Sequence, residues 1–83
     1  MDKLLITLEV PSVSESFDVF IPNFLRIGLL VPLLAEAVSE LTQNRYVSSR
    51  QEFLCSKEKA VILKEEGTLR DYGIQNGDHL MLY

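Results

Sequence analysis

Very little in this sequence is suited to chemistry. It holds one cysteine, Cys55, and one histidine, His79. A single thiol excludes an internal disulfide, and a reducing cytosol is its simplest home. One Cys with one His does not complete a structural zinc site. Glycines are few, and Gly73 and Gly77 are wrongly spaced for a phosphate-cradling loop. Basic residues are scarce as well: eight Lys and Arg stand against twelve Asp and Glu, for a net charge of −4. Nucleic-acid binding needs concentrated positive charge, which these scattered residues do not supply. Anionic membrane surfaces are disfavoured on the same ground. Long apolar runs are missing too. The most apolar stretch, "FLRIGLLVPLLAEAV", is interrupted by Arg26 and Pro32 and turns acidic at Glu36. It is too short to span a bilayer, and the acidic start with its brief apolar run is no secretory signal. The expectation is a soluble, cytoplasmic protein that needs no cofactor or metal and inserts in no membrane.

What is present is a core. Hydrophobic residues make up 47% of the 83 residues, enough for one small domain, 1–83, and not for two. "KLLITLEV" alternates, with Leu4, Ile6, Leu8 and Val10 on one face and Leu5, Thr7 and Glu9 on the other. "SFDVFI" alternates in turn, with Phe17, Val19 and Ile21 in phase. Two such runs around the Pro/Ser-rich "PSVSE" predict a β-hairpin. Pro22 ends the second strand. A helix is predicted from about Ile27 to about Thr42, with Ile27, Leu30, Val31, Leu34, Val38 and Leu41 on its buried face. Pro32 either lies in its first turn or bends it. After the connector "NRYVSSR", "QEFLCS" and "AVILK" read as short strands, "TLRDYG" as a helical or 3₁₀ turn, "NGD" as a tight turn and "HLMLY" as the last strand. One helix must then cover one face of a mixed sheet of about five strands, an α+β roll whose first and last strands pair in parallel across a helix-containing crossover.

The segment "TLRDYGIQ" resembles the stretch before the final strand of ubiquitin, carried here by Thr68, Leu69, Asp71, Tyr72, Ile74 and Gln75. The resemblance implies a β-grasp (ubiquitin-like) roll. Leu69 and Ile74 would plug the core beneath the sheet, and Tyr72 would pin the loop through its hydroxyl. Nearly the whole chain is similar to the YukD-like family, which includes EsaB. These are small ubiquitin-like accessory proteins of the type VII (WXG100) secretion systems of Gram-positive bacteria. "FDVFIPNFLRIGLLVPLLAEAV" and "LRDYGIQNGDHLMLY" carry the likeness; the chain departs from it at Arg26, where the family often has proline. The resemblance implies a non-enzymatic accessory or regulatory role, with membrane-anchored secretion components as protein partners. Two alternatives stand beside it: a ubiquitin-like interaction module with no part in secretion, and a truncated sulfur carrier or modifier. Modifiers and sulfur carriers act through a flexible tail ending in Gly-Gly. The sequence stops at Tyr83 without one, so conjugation is not expected.

Catalysis requires converging groups. His79 falls on the outer phase of its strand and reads as solvated. Cys55, alternating inward with Phe53, reads as a small buried thiol. Glu58, Glu65 and Glu66 read as solvated acids in turns. The remaining candidate is surface. With the sheet order 2-1-5-3-4 of the β-grasp fold, Leu5, Phe20, Leu54, Met81 and Tyr83 would lie on neighbouring strands as one apolar patch facing away from the helix. Contiguous apolar patches mark contacts, and this one is the expected protein-binding site. Leu29 and Leu33, with Pro32 nearby, lie off the core stripe at the start of the helix. They form a secondary candidate, suited to a weak homo-oligomer contact.

Overall fold

The computed structural model describes residues 3–49 and 51–83. Strands β1 (Lys3–Val10) and β2 (Glu15–Pro22) are each eight residues long and pair antiparallel from Lys3↔Pro22 to Val10↔Glu15. Alternation decides which face is buried: Leu4, Ile6, Leu8 and Val10 are inside, with Phe17 and Val19 packed partly against them and Ile21 buried. A 3₁₀ turn at Pro11–Val13 joins the strands.

Helix α1 (Ile27–Leu41) buries Ile27, Leu30, Val31, Leu34, Ala35 and Val38 against the sheet. Its start has no side-chain cap and no acid in the first turn. The exposed N–H groups of a helix start need acceptors, and here the acceptors are main-chain carbonyls of a distant loop. The Ile27 N–H donates to the Gly67 carbonyl at 2.8 Å, and the Gly28 N–H to the Glu65 carbonyl at 3.0 Å. Pro32 occupies the second turn, inside the helix, so the first-turn placement does not apply. The helix end also differs from expectation. Leu41, expected on the buried stripe, is 57% exposed, and Thr42 is buried in its place. The Thr42 hydroxyl donates to the Val38 carbonyl and accepts the Tyr46 N–H, which lets a polar side chain be buried with its bonds made. The chain then reverses through Gln43 and Asn44, both at positive φ, and Tyr46 folds into the core.

The connector after the helix is organised by Glu52. Its carboxylate accepts the Tyr46 hydroxyl and the Ser49 N–H, each at 2.8 Å. Burial and the adjacent Glu52 push the Tyr46 phenol up. Burial raises the Glu52 carboxyl as well, but hydrogen bonds from Ser48, Tyr46 and the Ser49 backbone outweigh it, and the group lies below its ordinary value.

Strands β3 (Leu54–Ser56), β4 (Val61–Leu63) and β5 (His79–Leu82) complete one sheet of order β2-β1-β5-β3-β4. β5 lies between β1, which it joins in parallel (Leu8↔Leu80), and β3, which it joins antiparallel (Leu54↔Leu82). This is the ubiquitin-like β-grasp. The phase of β3 is the reverse of expectation. Leu54 is fully buried, whereas Phe53 is 43% exposed and Cys55 is half-buried on the outer face. The cause is cross-strand pairing: Leu54 sits opposite Leu63 and Leu82, both in the core, and directly paired residues share a face.

The segment expected as a helical turn at "TLRDYG" is a series of turns instead. The Thr68 N–H donates to the Asp71 carboxylate and the Asp71 N–H to the Thr68 hydroxyl. The Tyr72 hydroxyl accepts the Lys64 N–H at 2.9 Å, pinning the loop as expected. Leu69 and Ile74 are buried in the core cluster. Gly73 and Gly77 take the left-handed φ values of 68° and 87° that the turns require.

Two predictions follow from this packing. Leu69→Ala should cost about 2–5 kcal/mol in urea unfolding, the range for a large-to-small change in a closed core, and Tyr72→Phe about 1 kcal/mol through its lost acceptor. A Leu69→Ala loss well under 1 kcal/mol would show that the loop does not plug the core. The second concerns acid. Because the folded Glu52 carboxyl lies below the ordinary value of about 4.3, the unfolded chain binds that proton first. The stabilisation is present above the unfolded value and disappears as the pH falls through the folded one. Glu52→Gln should therefore flatten the acid limb of the stability–pH profile. Parent and variant curves of equal slope between about pH 5 and pH 3 would contradict the assignment.

Candidate functional site

The outer face of the sheet is the side that no helix covers, and the strand register assigns its residues. Leu5 on β1 stands opposite Phe20 on β2 at one corner, Phe20 being 71% exposed. The next residues along the strands are polar. The Thr7 hydroxyl donates to Asp18 at 2.9 Å, and His79 is Thr7's partner on β5. His79 Nδ1 lies 2.7 Å from Glu58 Oε2, and the His79 backbone N–H donates to the same carboxylate. Glu58 is thus paired, against the expectation of a freely solvated turn acid, and the imidazole contact together with the backbone N–H holds its carboxyl below the usual range. Glu9 and Lys57 reach across β5 to an ion pair at 3.2 Å.

Beyond this polar row lies a second apolar area. Met81 pairs with Cys55, and Cys55 with Ile62 on β4. Tyr83 and Phe53 exchange backbone hydrogen bonds, and their rings stack with centroids 5.5 Å apart and planes at 23°. The Tyr83 hydroxyl donates to the Met81 sulfur at 3.4 Å. Burial pushes the Cys55 thiol up, away from the thiolate that nucleophilic chemistry needs. Among the described residues no three of His, Cys, Asp and Glu are grouped to hold a metal ion, and no helix is long and apolar enough to cross a membrane.

Of the residues singled out in the sequence, half-buried Met81 and exposed Tyr83 share one area of the outer face. Leu5 and Phe20 share another, with Thr7, Asp18 and His79 between the two. Leu54 belongs to neither, because it is in the core. Phe53 takes its place, and Ile62 extends the area to the sheet edge. The sequence pattern places Phe53 on the inner face and assigns Ile62 to no surface. The local run Phe53-Leu54-Cys55 is apolar throughout and offers no phase; only the pairing of Leu54 with Leu63 and Leu82 reveals it. At the helix start Leu29 (61%) and Leu33 (55%) are exposed beside exposed Pro32, outside the core.

Structural relatives share this architecture. The EccD5 ubiquitin-like domain from Mycobacterium xenopi superposes with a TM-score of 0.82 at 13% identity, covering 100% of this chain and 94% of that one. The ubiquitin-like domain of the Mycobacterium tuberculosis type VII secretion system protein EccD1 gives 0.78 at 15% identity, over 99% and 98% of the two chains. A chain of the MycP5-free ESX-5 inner membrane complex gives 0.82 at 12% identity, with all of this chain matching 21% of that one. At such identities the likeness concerns the fold alone. Curated proteins offer no significant sequence match. The family model described as "WXG100 protein secretion system (Wss), protein YukD" matches residues 5–82. With a match that runs from the first strand to the last, and with the five-stranded β-grasp beneath it, this chain belongs to the YukD family of the WXG100 secretion system.

Proposed function

We propose that this protein is a single ubiquitin-like domain that serves as a non-enzymatic accessory or regulatory subunit of a type VII secretion system. It works in the cytoplasm, peripheral to the membrane, by docking on membrane-anchored components of the machine. Family membership supports the system, and the likeness to the ubiquitin-like domains of EccD proteins and to a chain of the ESX-5 inner membrane complex supports the setting. The observation that carries docking is the outer apolar area around the stacked Phe53 and Tyr83. Aromatic side chains and Met are enriched at interface cores and charged ones depleted, and this area joins two aromatics to Met81 and Ile62 on three adjacent strands. The polar row through Thr7, Asp18 and His79 makes Leu5 and Phe20 a separate, smaller contact. Leu29, Pro32 and Leu33 serve as the secondary surface, suited to weak self-association.

Met81→Ala and Tyr83→Ala should each weaken retention of the secretion complex in pull-downs by roughly thirtyfold, about 2 kcal/mol on the scale of interface anchors. Tyr83 is exposed, and its change should alter folding stability by only about 0.5 kcal/mol; Met81 is half-buried, and its change should cost about 1 kcal/mol. Melting temperature and substrate export are to be read on the same variants. If both retain full binding while Leu33→Asp abolishes it in a folded protein, the helix start is the docking surface and the sheet face is not.

A further inference from the structure

The layer opposite the outer sheet face contains an open groove of ≈ 650 Å³ between one flank of α1 and the β3–β4 corner. Its origin is geometric. β4 is three residues long and buries only Leu63, so this corner of the sheet is thinly covered. The helix flank above it is low in relief, because it carries Gly28 and Ala35. Gly28 is held against the loop, where an added Cβ would stand 3.3 Å from the Glu65 Cβ. The floor is apolar, made by Ile27, Val31, Leu54 and Leu63, and the volume is that of a small-ligand or side-chain pocket.

Among the described residues the rim carries one sign of charge. Glu36, Glu52 and Glu65 line the groove, and no Lys, Arg or His does among the described residues. Glu52 is already engaged by Tyr46 and Ser49. Glu36 and Glu65 form no ion pair among the described residues. Their placement sets a distance. Glu65 contacts the helix at Gly28, and Glu36 lies two turns further on, so the rise of an α-helix separates them by about 12 Å along the groove. An extended chain advances about 13 Å in four residues, and its alternate side chains point to one side. A segment with basic residues two positions before and two positions after a large apolar one therefore presents all three to the groove together.

We propose that this groove is a second docking site, occupied by an extended basic-x-apolar-x-basic segment of a protein partner. The apolar side chain enters between Val31 and Leu63, and the two cations meet Glu65 and Glu36. The groove borders the sheet-face area at Phe53, which lines both, but its floor and its acidic rim are made by other residues. One surface binds through stacked aromatics and Met. The other selects on charge, so its affinity falls as salt rises.

The test uses the full chain and three synthetic peptides: Gly-Arg-Ser-Leu-Ser-Arg-Gly, the same peptide with Glu for both Arg, and the same with Ser for Leu. Binding is read by amide shifts in ¹⁵N-labelled protein. The expected result is saturable binding of the first peptide, with shifts centred on Gly28, Ala35, Leu63 and Glu65, and at least about tenfold weaker binding of the other two. Two variants bear on it separately: Glu36→Lys with Glu65→Lys reverses the rim, and Ser39→Trp fills the groove without changing charge. Each should lower affinity for the first peptide by a similar factor, with folding checked by the variant's own spectrum. Should a variant not fold, the peptide comparison on the parent decides alone. Met81→Ala, at a residue that does not line the groove, should leave peptide binding unchanged, which separates this site from the proposed secretion contact. No saturable binding at millimolar peptide, equal binding of the Glu-substituted peptide, or shifts centred on Met81 and Tyr83 would each overturn the proposal.

Discussion

The parallel pairing of β5 with β1 is the constraint on which the other contacts depend. Leu5 and Asn76 are 71 residues apart, yet the Asn76 side chain accepts the Leu5 N–H at 2.9 Å. The turn around Gly77 adds two more ties, from the Gly77 N–H to the Leu5 carbonyl and from the Thr7 N–H to the Asp78 carbonyl. Parallel neighbours need a long crossover, and that crossover contains the helix, the Glu52-centred connector and the β3–β4 hairpin. With β5 seated, Leu80 and Leu82 complete the floor under the helix, and Leu54 acquires the partner that turns it inward. Without β5, β1 and β3 share no neighbour and the sheet falls into two unconnected hairpins.

The same strand makes the two faces unequal. Inward, β5 delivers fully buried leucines; outward, it delivers His79 and Met81, one polar and one apolar. That single alternation divides the outer face. His79 continues the polar row begun by Asp18 and Thr7, while Met81 joins Cys55 and Ile62. The division limits the apolar area to one side of the sheet. Any surface laid over Phe53, Met81 and Tyr83 meets polar groups as soon as it extends towards Leu5.

Much of the fold was legible where elements are long. Eight residues of strict alternation leave β1 and β2 no second phase, and the 3.6-residue period locates the helix and most of its buried stripe. Legibility failed where elements are short or where partners lie far away. β3 has three residues within an apolar run, so nothing local distinguishes Leu54 inward from Leu54 outward. Leu41 and Thr42 lie at nearly equal angles from the helix stripe, and only the hydroxyl bonds to Val38 and Tyr46 choose between them. The pairing of Glu58 with His79 spans 21 residues and follows from the β3–β5 register, which no local pattern encodes. The candidate surface was half legible for the same reason: Met81 and Tyr83 follow from a well-phased strand, while Phe53 depends on a register set elsewhere.

The start of α1 bears on how far such a sequence can drift. A helix capped by Ser or Asp ties its stability to one side chain. Here the acceptors are the main-chain carbonyls of Glu65 and Gly67, which any residue could supply. Positions 26, 65 and 66 are thus released from capping duty, and the constraint moves to Gly67, where a Cβ would stand 3.0 Å from the Tyr72 ring. Divergence can rewrite most of this junction without loosening it. A superposition at TM-score 0.82 with only 13% identity is the outcome such an architecture permits.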